Sequence, residues 1–179
     1  MQGSQRGTIQ LMANESSPKT TSTKIRIERS YPASANEVWD LWTTSKGIES
    51  WWAPDGFKVE VRQLDLRPGG ELVYAMTATG PEQVEFMKTA GMPLTTESRK
   101  TFTELNPPKR IAYTSLADFI PGVESYEFLT AVELNPSGDG VRVVMTVDPI
   151  HDEVWTERLV MGRENELDNL AKVIDPKRA

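Results

Sequence analysis

The sequence predicts an α+β fold: a curved antiparallel β-sheet wrapped around a long C-terminal α-helix, with two short helices after the first strand. Two observations lead to this prediction. Six segments with strand character follow one another through short links between residues 58 and 147, which is typical of an antiparallel meander. An amphipathic helical segment at about 152–174 follows them and can cover the apolar face of such a sheet.

The domain begins with a strand and two short helices. Ile25 and Ile27 alternate with charged residues, as in a half-buried strand. Val38, Leu41 and Trp42 then recur at helical spacing, after residues that favour a helix start. The two helices are predicted at about 35–43 and 46–52.

Alternation of side chains predicts the remaining strands and their faces. Leu72, Tyr74 and Met76, for example, share one side of their strand. The Asn, Pro, Gly and Asp residues of 135–140 supply a hairpin turn. The predicted strands are 58–63, 71–77, 99–105, 110–116, 126–134 and 141–147.

A long segment, residues 78–98, interrupts the meander. Within it, Pro81 begins and Gly91 ends a short helical pattern that contains Phe86 and Met87. Connections of this length often serve as lids, binding loops or interface elements. Alternatively, Phe86 and Met87 simply cap the sheet edge.

Composition sets the domain organisation. Residues 1–23 are rich in Ser, Thr, Gln and Gly without periodicity, and we expect a flexible N-terminal tail there. Residues 24–175 are long enough to bury a core, show no internal repeat, and are predicted to form a single domain.

Charge and residue usage exclude several classes of function. The chain has no Cys and one His, so a thiolate nucleophile and a multi-histidine metal centre are excluded, and we expect neither a metal nor a cofactor. A formal net charge of −6 argues against a nucleic-acid partner. There is no apolar run long enough to cross a bilayer and no signal-peptide core. We therefore expect a cytoplasmic protein without a membrane partner.

Five segments in a fixed order resemble a known family. They are YPASANEVWDLWTT at 31–44, WWAPDGF at 51–57, DLRPGG at 65–70, NPPKRIAYT at 106–114, and a terminal helix that contains Gly162. Together they resemble the START-like SRPBCC superfamily, and within it the AHSA family, which is similar to the activator of the heat-shock-protein-90 ATPase. The resemblance covers about residues 24–174 and implies the helix-grip fold, in which the sheet and the terminal helix enclose a cavity.

A cavity of that kind would be lined by large apolar and aromatic side chains from the inner faces of these elements. The predicted lining consists of Trp51, Trp52, Tyr74, Met76, Tyr113, Phe128, Met145, Trp155, Leu159 and Arg163. Phe119, in the turn at 118–123, either closes the cavity mouth or makes a dimer contact.

Arg163 is unusual, because members of the family commonly carry Trp directly after the helix glycine. It either snorkels to solvent along its aliphatic stem, screened by Glu166 or Asp152, or it reaches into the cavity. In the second case it offers a fixed cation to a ligand carboxylate or phosphate and is oriented by Glu166 or Glu164. Gly162 either lets the sheet approach the helix or leaves space for a ligand.

Three functions from different classes follow from this sequence. The leading hypothesis is binding of a small hydrophobic or amphipathic molecule in the cavity. By family analogy alone, the chain is a chaperone-associated or other protein-interaction module in a stress response. The third possibility is a cyclase/aromatase- or hydrolase-like enzyme that uses the same cavity. No catalytic residue is assigned, since His151, the best-suited acid–base group, lies among acidic neighbours at a helix entrance.

Overall fold

The computed structural model describes residues 23–176, so nearly all of the predicted tail at 1–23 lies outside the described residues. One sheet and four helices make up this part of the chain. In chain order the elements are β1 Ile25–Tyr31, α1 Ala35–Thr43, α2 Ser45–Trp51, β2 Phe57–Leu64, β3 Glu71–Ala78, α3 Pro81–Thr89, β4 Thr95–Asn106, β5 Arg110–Ala117, β6 Tyr126–Ser137, β7 Gly140–Val147 and α4 Glu153–Ile174. The predicted α+β fold with a long C-terminal helix is confirmed.

The seven strands form one antiparallel sheet in the order β1-β7-β6-β5-β4-β3-β2. Each strand from β2 to β6 pairs with the next one along the chain, as in a meander, and β1 pairs with β7 at one end. Helices α1 and α2 lie in the connection from β1 to β2, which spans the whole width of the sheet. Helix α4 covers the inner face, where the Tyr31 hydroxyl donates to the Leu167 carbonyl at 2.8 Å.

Side-chain caps fix where helices α1 and α4 begin. Ser34 and Glu37 form a capping box at α1, in which the Glu37 carboxylate accepts from the Ser34 backbone N–H at 2.7 Å. At α4, the Asp152 side chain accepts from the Trp155 backbone N–H at 2.9 Å. The second cap places Trp155 in the first turn of α4, next to the inner face of the sheet.

Strand β4 begins at Thr95, four residues before the predicted start at residue 99. The added residues pair with β3, so that Ser98 lies opposite Tyr74 and Thr96 opposite Met76. Thr residues suit a pleated strand, and the Thr95 and Thr77 hydroxyls are 2.9 Å apart. The inserted segment is therefore shorter than predicted, and Ser98 joins the inner face.

The adjacent tryptophans belong to the core that joins α1 and α2 to the sheet. Trp42, Trp51 and Trp52 are each 2% exposed, and the Trp42 and Trp51 rings pack edge-on with centroids 4.7 Å apart. Trp51 Nε1 donates to the Leu41 carbonyl at 2.9 Å. Trp52 continues the cluster toward the sheet, 6.1 Å from the Tyr74 ring between centroids. This cluster packs helices α1 and α2 against the sheet beside the cavity floor.

Candidate functional site

A cavity of about 700 Å³ lies between α4 and the strands of the sheet centre. We divide its lining into three parts. The rim contains the exposed residues Glu97, Arg99, Leu116, Asp118, Phe119 and Arg158. The apolar wall contains Phe128, Ile150, Trp155 and Leu159. The polar floor contains Tyr74, Ser98, Lys100, Ser115, Arg163 and Glu166. Gly162 completes the lining.

Aromatic contacts connect the rim to the apolar wall. The Phe119 and Trp155 rings are 5.8 Å apart between centroids, and the Arg158 guanidinium lies 4.8 Å from the Trp155 ring centroid. Phe119 is half exposed, so its ring covers part of the opening without sealing it. Of the two expectations for Phe119, the structure places it at the cavity rim.

Lys100 is the most unusual residue of the polar floor, because a lysine is rarely buried. It lies on the inner face of β4, opposite Ser115 of β5, and its Nζ donates to the Ser115 hydroxyl at 2.9 Å. The rings of Tyr113 and Trp52 lie beneath it, with centroids 5.1 and 5.7 Å from Nζ. Within residues 23–176 this ammonium group forms no ion pair with a carboxylate.

The environment of Lys100 disfavours its charged form. Burial, reinforced by the positive charge of Arg163, lowers the pKa of Lys100 to about 7, although Glu166 acts in the opposite direction. A large fraction of the molecules would then carry a neutral amine at neutral pH. A neutral amine inside a cavity can act as a base or as a nucleophile.

Arg163 lies on the cavity floor and does not reach solvent: only 5% of its surface is exposed. Its Nη1 donates to both carboxylate oxygens of Glu166, each at 2.9 Å, and Nη2 donates to the Thr130 hydroxyl at 3.5 Å. Burial favours loss of its proton, but the charge and hydrogen bonds of Glu166 outweigh this and raise the pKa of Arg163. Glu166, and not Glu164, thus orients Arg163, and Glu164 lies 3.7 Å from Arg29 instead.

Two tyrosines add proton donors near the floor. Burial raises the pKa of Tyr74 and of Tyr113 above the ordinary value, and the negative charge of Glu166 adds to the effect. Both phenols therefore remain protonated at neutral pH. Within residues 23–176, the buried Tyr113 hydroxyl and the Trp42 indole N–H lack a well-formed hydrogen bond.

The structure brings half of the predicted lining residues together at the cavity. Those that line it are Tyr74, Phe128, Trp155, Leu159 and Arg163. Those outside the lining are Trp51, Trp52, Met76, Tyr113 and Met145. The second group packs in the core or against it, and Met145 is wholly buried. Alternation places Met76, Tyr113 and Met145 on strand faces, but it does not tell a core position from a cavity position.

Sequence reasoning missed the polar floor except for Tyr74, Arg163 and Glu166. Lys100 falls two residues before buried Phe102 in β4, so alternation could have placed it on the inner face. No pattern of this kind identifies Ser98 or Ser115, since Ser is common on both faces of a sheet.

Gly162 of α4 has open space around it, because a Cβ added there would meet no atom within 4 Å.

Other kinds of site find no support among the described residues. In residues 23–176, no group of three or more His, Asp or Glu side chains could hold a metal ion. None of the helices in this range is both long enough and apolar enough to cross a membrane. His151 is exposed at the entrance to α4 and is not part of the cavity lining.

The fold has many relatives among solved structures. A Chromobacterium violaceum protein has a TM-score of 0.68 and 24% identity, covering 86% of this chain and 98% of the other. A Mycobacterium smegmatis protein has a TM-score of 0.65 and 18% identity, covering 86% and 91%. The AHSA1 protein from Silicibacter pomeroyi has a TM-score of 0.63 and 18% identity, covering 83% and 95%. These likenesses show a shared fold.

Sequence comparison identifies the family. No curated protein matches the chain significantly. The model of the family described as "Activator of Hsp90 ATPase homolog 1-like protein" matches residues 32–175, from the end of β1 to the end of α4. Because this match spans most of the chain, the protein belongs to the AHSA family of the helix-grip superfamily.

Proposed function

We propose that this protein binds a small amphipathic molecule in the cavity between α4 and the sheet. The observation that supports this most strongly is the division of one cavity into an apolar wall and a buried polar floor. A volume of about 700 Å³ is in the range of small-molecule sites. The apolar part of the ligand would lie against Trp155 and Leu159, and its polar head group would face Lys100 and Arg163.

The floor favours a head group with hydrogen-bond acceptors. Arg163 carries only donors, Lys100 carries only donors when it is protonated, and the protonated phenol of Tyr74 can donate as well. Glu166 is the one carboxylate of the floor, and both of its oxygens already accept from Arg163. An oxygen-rich head group, such as a carbonyl, hydroxyl or carboxylate, would therefore complement the floor better than an amine would.

The sequence also suggested other functions. A chaperone-associated role, a stress-response role, a homodimer and a cytoplasmic location remain predictions, and nothing in the cavity geometry favours them. An enzymatic use of the cavity gains some support from the approach of Tyr74, Arg163 and Lys100 to the same floor. That possibility does not conflict with ligand binding, because a substrate would occupy the same space.

Binding can be tested with three probes that share one chain and differ in the head group: decanol, decanal and decanoate. Binding would be followed by tryptophan fluorescence, since Trp155 lies in the wall, and by native mass spectrometry of the gently purified protein. We expect saturable one-to-one binding of at least decanol. Failure of all three probes, together with the absence of any copurified small molecule, would contradict the proposal.

A pair of variants locates the site. Gly162→Leu adds a side chain beside the open space of the cavity lining, and we expect it to weaken binding. Met161→Leu is the matched control, because Met161 is the neighbouring residue of α4, is 68% exposed and does not line the cavity. Equal binding by the two variants would place the ligand elsewhere.

A further inference from the structure

Lys100 is buried on the cavity floor with a hydroxyl group as its hydrogen-bond partner. We infer that Lys100 is a nucleophile that forms a reversible imine with an aldehyde or ketone ligand held in the cavity. This inference rests on the proposed function, since the carbonyl compound must first bind there. It goes further by naming the reactive residue and the chemical class of the ligand.

The surroundings of Lys100 leave its amine available. Ser115 can donate to a neutral amine as readily as it accepts from an ammonium, so this partner tolerates both protonation states. Glu166 on α4, the carboxylate of the floor, is held by two hydrogen bonds from Arg163. A lysine kept only for structure would be expected to pair directly with a carboxylate, and Lys100 does not do so within residues 23–176.

Groups on every neighbouring element act on the Lys100 amine. Arg163 disfavours its positive charge from α4, whereas Glu166 favours that charge. Tyr113 of β5 and Trp52, directly after α2, present ring faces that attract a cation. Tyr74 of β3 is neutral at neutral pH. The effects of burial and of the Arg163 charge are larger than the opposing effect of Glu166, and they lower the pKa of Lys100 to about 7. A large fraction of the amine therefore carries a free lone pair.

The reaction balances without an external oxidant or reductant. The neutral Nζ attacks the carbonyl carbon of the ligand, a C–N bond forms as the C=O π bond opens, and one proton passes from nitrogen to the carbonyl oxygen to give a neutral carbinolamine. Loss of the hydroxyl group together with the remaining nitrogen proton releases one water and leaves the imine. Ser115, hydrogen-bonded to Nζ, is placed to relay protons in both steps. The reverse reaction with water regenerates the amine and the carbonyl compound.

Borohydride trapping tests the inference. The intact protein is incubated with decanal at a low molar excess, sodium borohydride reduces any imine to a stable secondary amine, and peptide mass spectrometry locates the added decyl group. At neutral pH we expect about tenfold or more labelling of Lys100 over Lys58, because Lys100 lines the cavity that holds decanal, whereas Lys58 is exposed and lies outside the lining. Labelling of Lys100 no greater than that of Lys58 would overturn the inference.

Two controls separate specific chemistry from general lysine reactivity. Decanol has no carbonyl group and should compete with decanal at Lys100 but not at Lys58. Lys100→Met should abolish the dominant labelled peptide, and Lys58→Met should leave it unchanged. Should Lys100→Met fail to fold, peptide mapping and competition in the unmodified protein still decide the question.

The pH dependence of trapping gives a further readout. Labelling of Lys100 should reach half of its plateau at about pH 7 and approach the plateau about one pH unit higher. Labelling of Lys100 that is still rising steeply near pH 10 would show that the aromatic rings hold Lys100 charged, and would overturn the inference. Binding of decanol without trapping of decanal would overturn the imine alone, whereas failure of every probe to bind would overturn the proposed function.

Discussion

Lys100 of β4 and Ser115 of β5 occupy directly paired positions in the sheet, and the Lys100 Nζ donates to the Ser115 hydroxyl at 2.9 Å. This contact places an amine on the inner face of the sheet, beneath helix α4. An uncharged partner cannot compensate a buried charge as a carboxylate would. The free energy of folding should therefore depend on the protonation state of this one side chain.

The first prediction concerns stability and pH. The pKa of Lys100 is about 7 in the folded protein, against roughly 10.4 for an ordinary lysine. Between these two values the unfolded state binds one proton more than the folded state, so the free energy of unfolding rises with pH. The contribution is at most about 1.4 kcal/mol per pH unit. Below pH 7 both states carry the proton, and the contribution no longer changes.

Urea unfolding from pH 6 to pH 9.5 can measure this effect as a difference between proteins. The stability of the parent relative to Lys100→Met should rise through this range, since other titrating groups cancel in the comparison. Lys58→Met is the matched control, since it makes the same substitution at a lysine whose side chain is 63% exposed. A flat difference for Lys100→Met would mean that the folded protein keeps this ammonium near its ordinary pKa.

The second prediction concerns the buried ion pair on α4. Glu166→Gln leaves the Arg163 guanidinium buried without its anion, and we expect a loss of about 2–4 kcal/mol. Arg163→Met should cost less, because the Glu166 side chain is 20% exposed and can regain water. The double variant should be less destabilised than the sum of the two single variants.

Glu164→Gln is the control for this pair, since Glu164 lies on the same helix but its side chain is 47% exposed, 3.7 Å from Arg29. Its effect should stay below about 1 kcal/mol. Chemical denaturation of the four variants measures all of these values. Similar small losses for Glu166→Gln and Glu164→Gln would show that water reaches Arg163.

Much of the fold could be predicted from local signals. The bounds of α1 agree with the prediction because Ser34 supplies a cap and Val38 and Trp42 supply a helical period. The polar floor depends on three-dimensional relationships that no short window contains. Lys100 becomes informative only when strand register places it opposite Ser115 and when α4 closes over both.

The tryptophans illustrate the same limit. Adjacent Trp51 and Trp52 indicate a buried region. The identity of a residue as tryptophan does not predict whether its ring lines a cavity or packs against other side chains. In the structure, Trp42 packs against both rings, and the cavity opens farther along the sheet. Which apolar residues line a cavity depends on the spaces left by packing, and a sequence pattern does not encode those spaces.

The third prediction concerns Gly162, which lies in the middle of α4. Glycine weakens a helix interior by about 1 kcal/mol relative to alanine, and a Cβ at this position would meet no atom within 4 Å. Gly162→Ala should therefore raise the free energy of unfolding by up to about 1 kcal/mol. Gly47→Ala in α2 is the opposing control, because its Cβ would lie 2.4 Å from the Asp40 carbonyl oxygen. Thermal and urea unfolding of both variants provide the measurement. A loss of stability in Gly162→Ala as large as that in Gly47→Ala would contradict the prediction. It would mean that the sheet lies too close to helix α4 to leave room for a Cβ at residue 162.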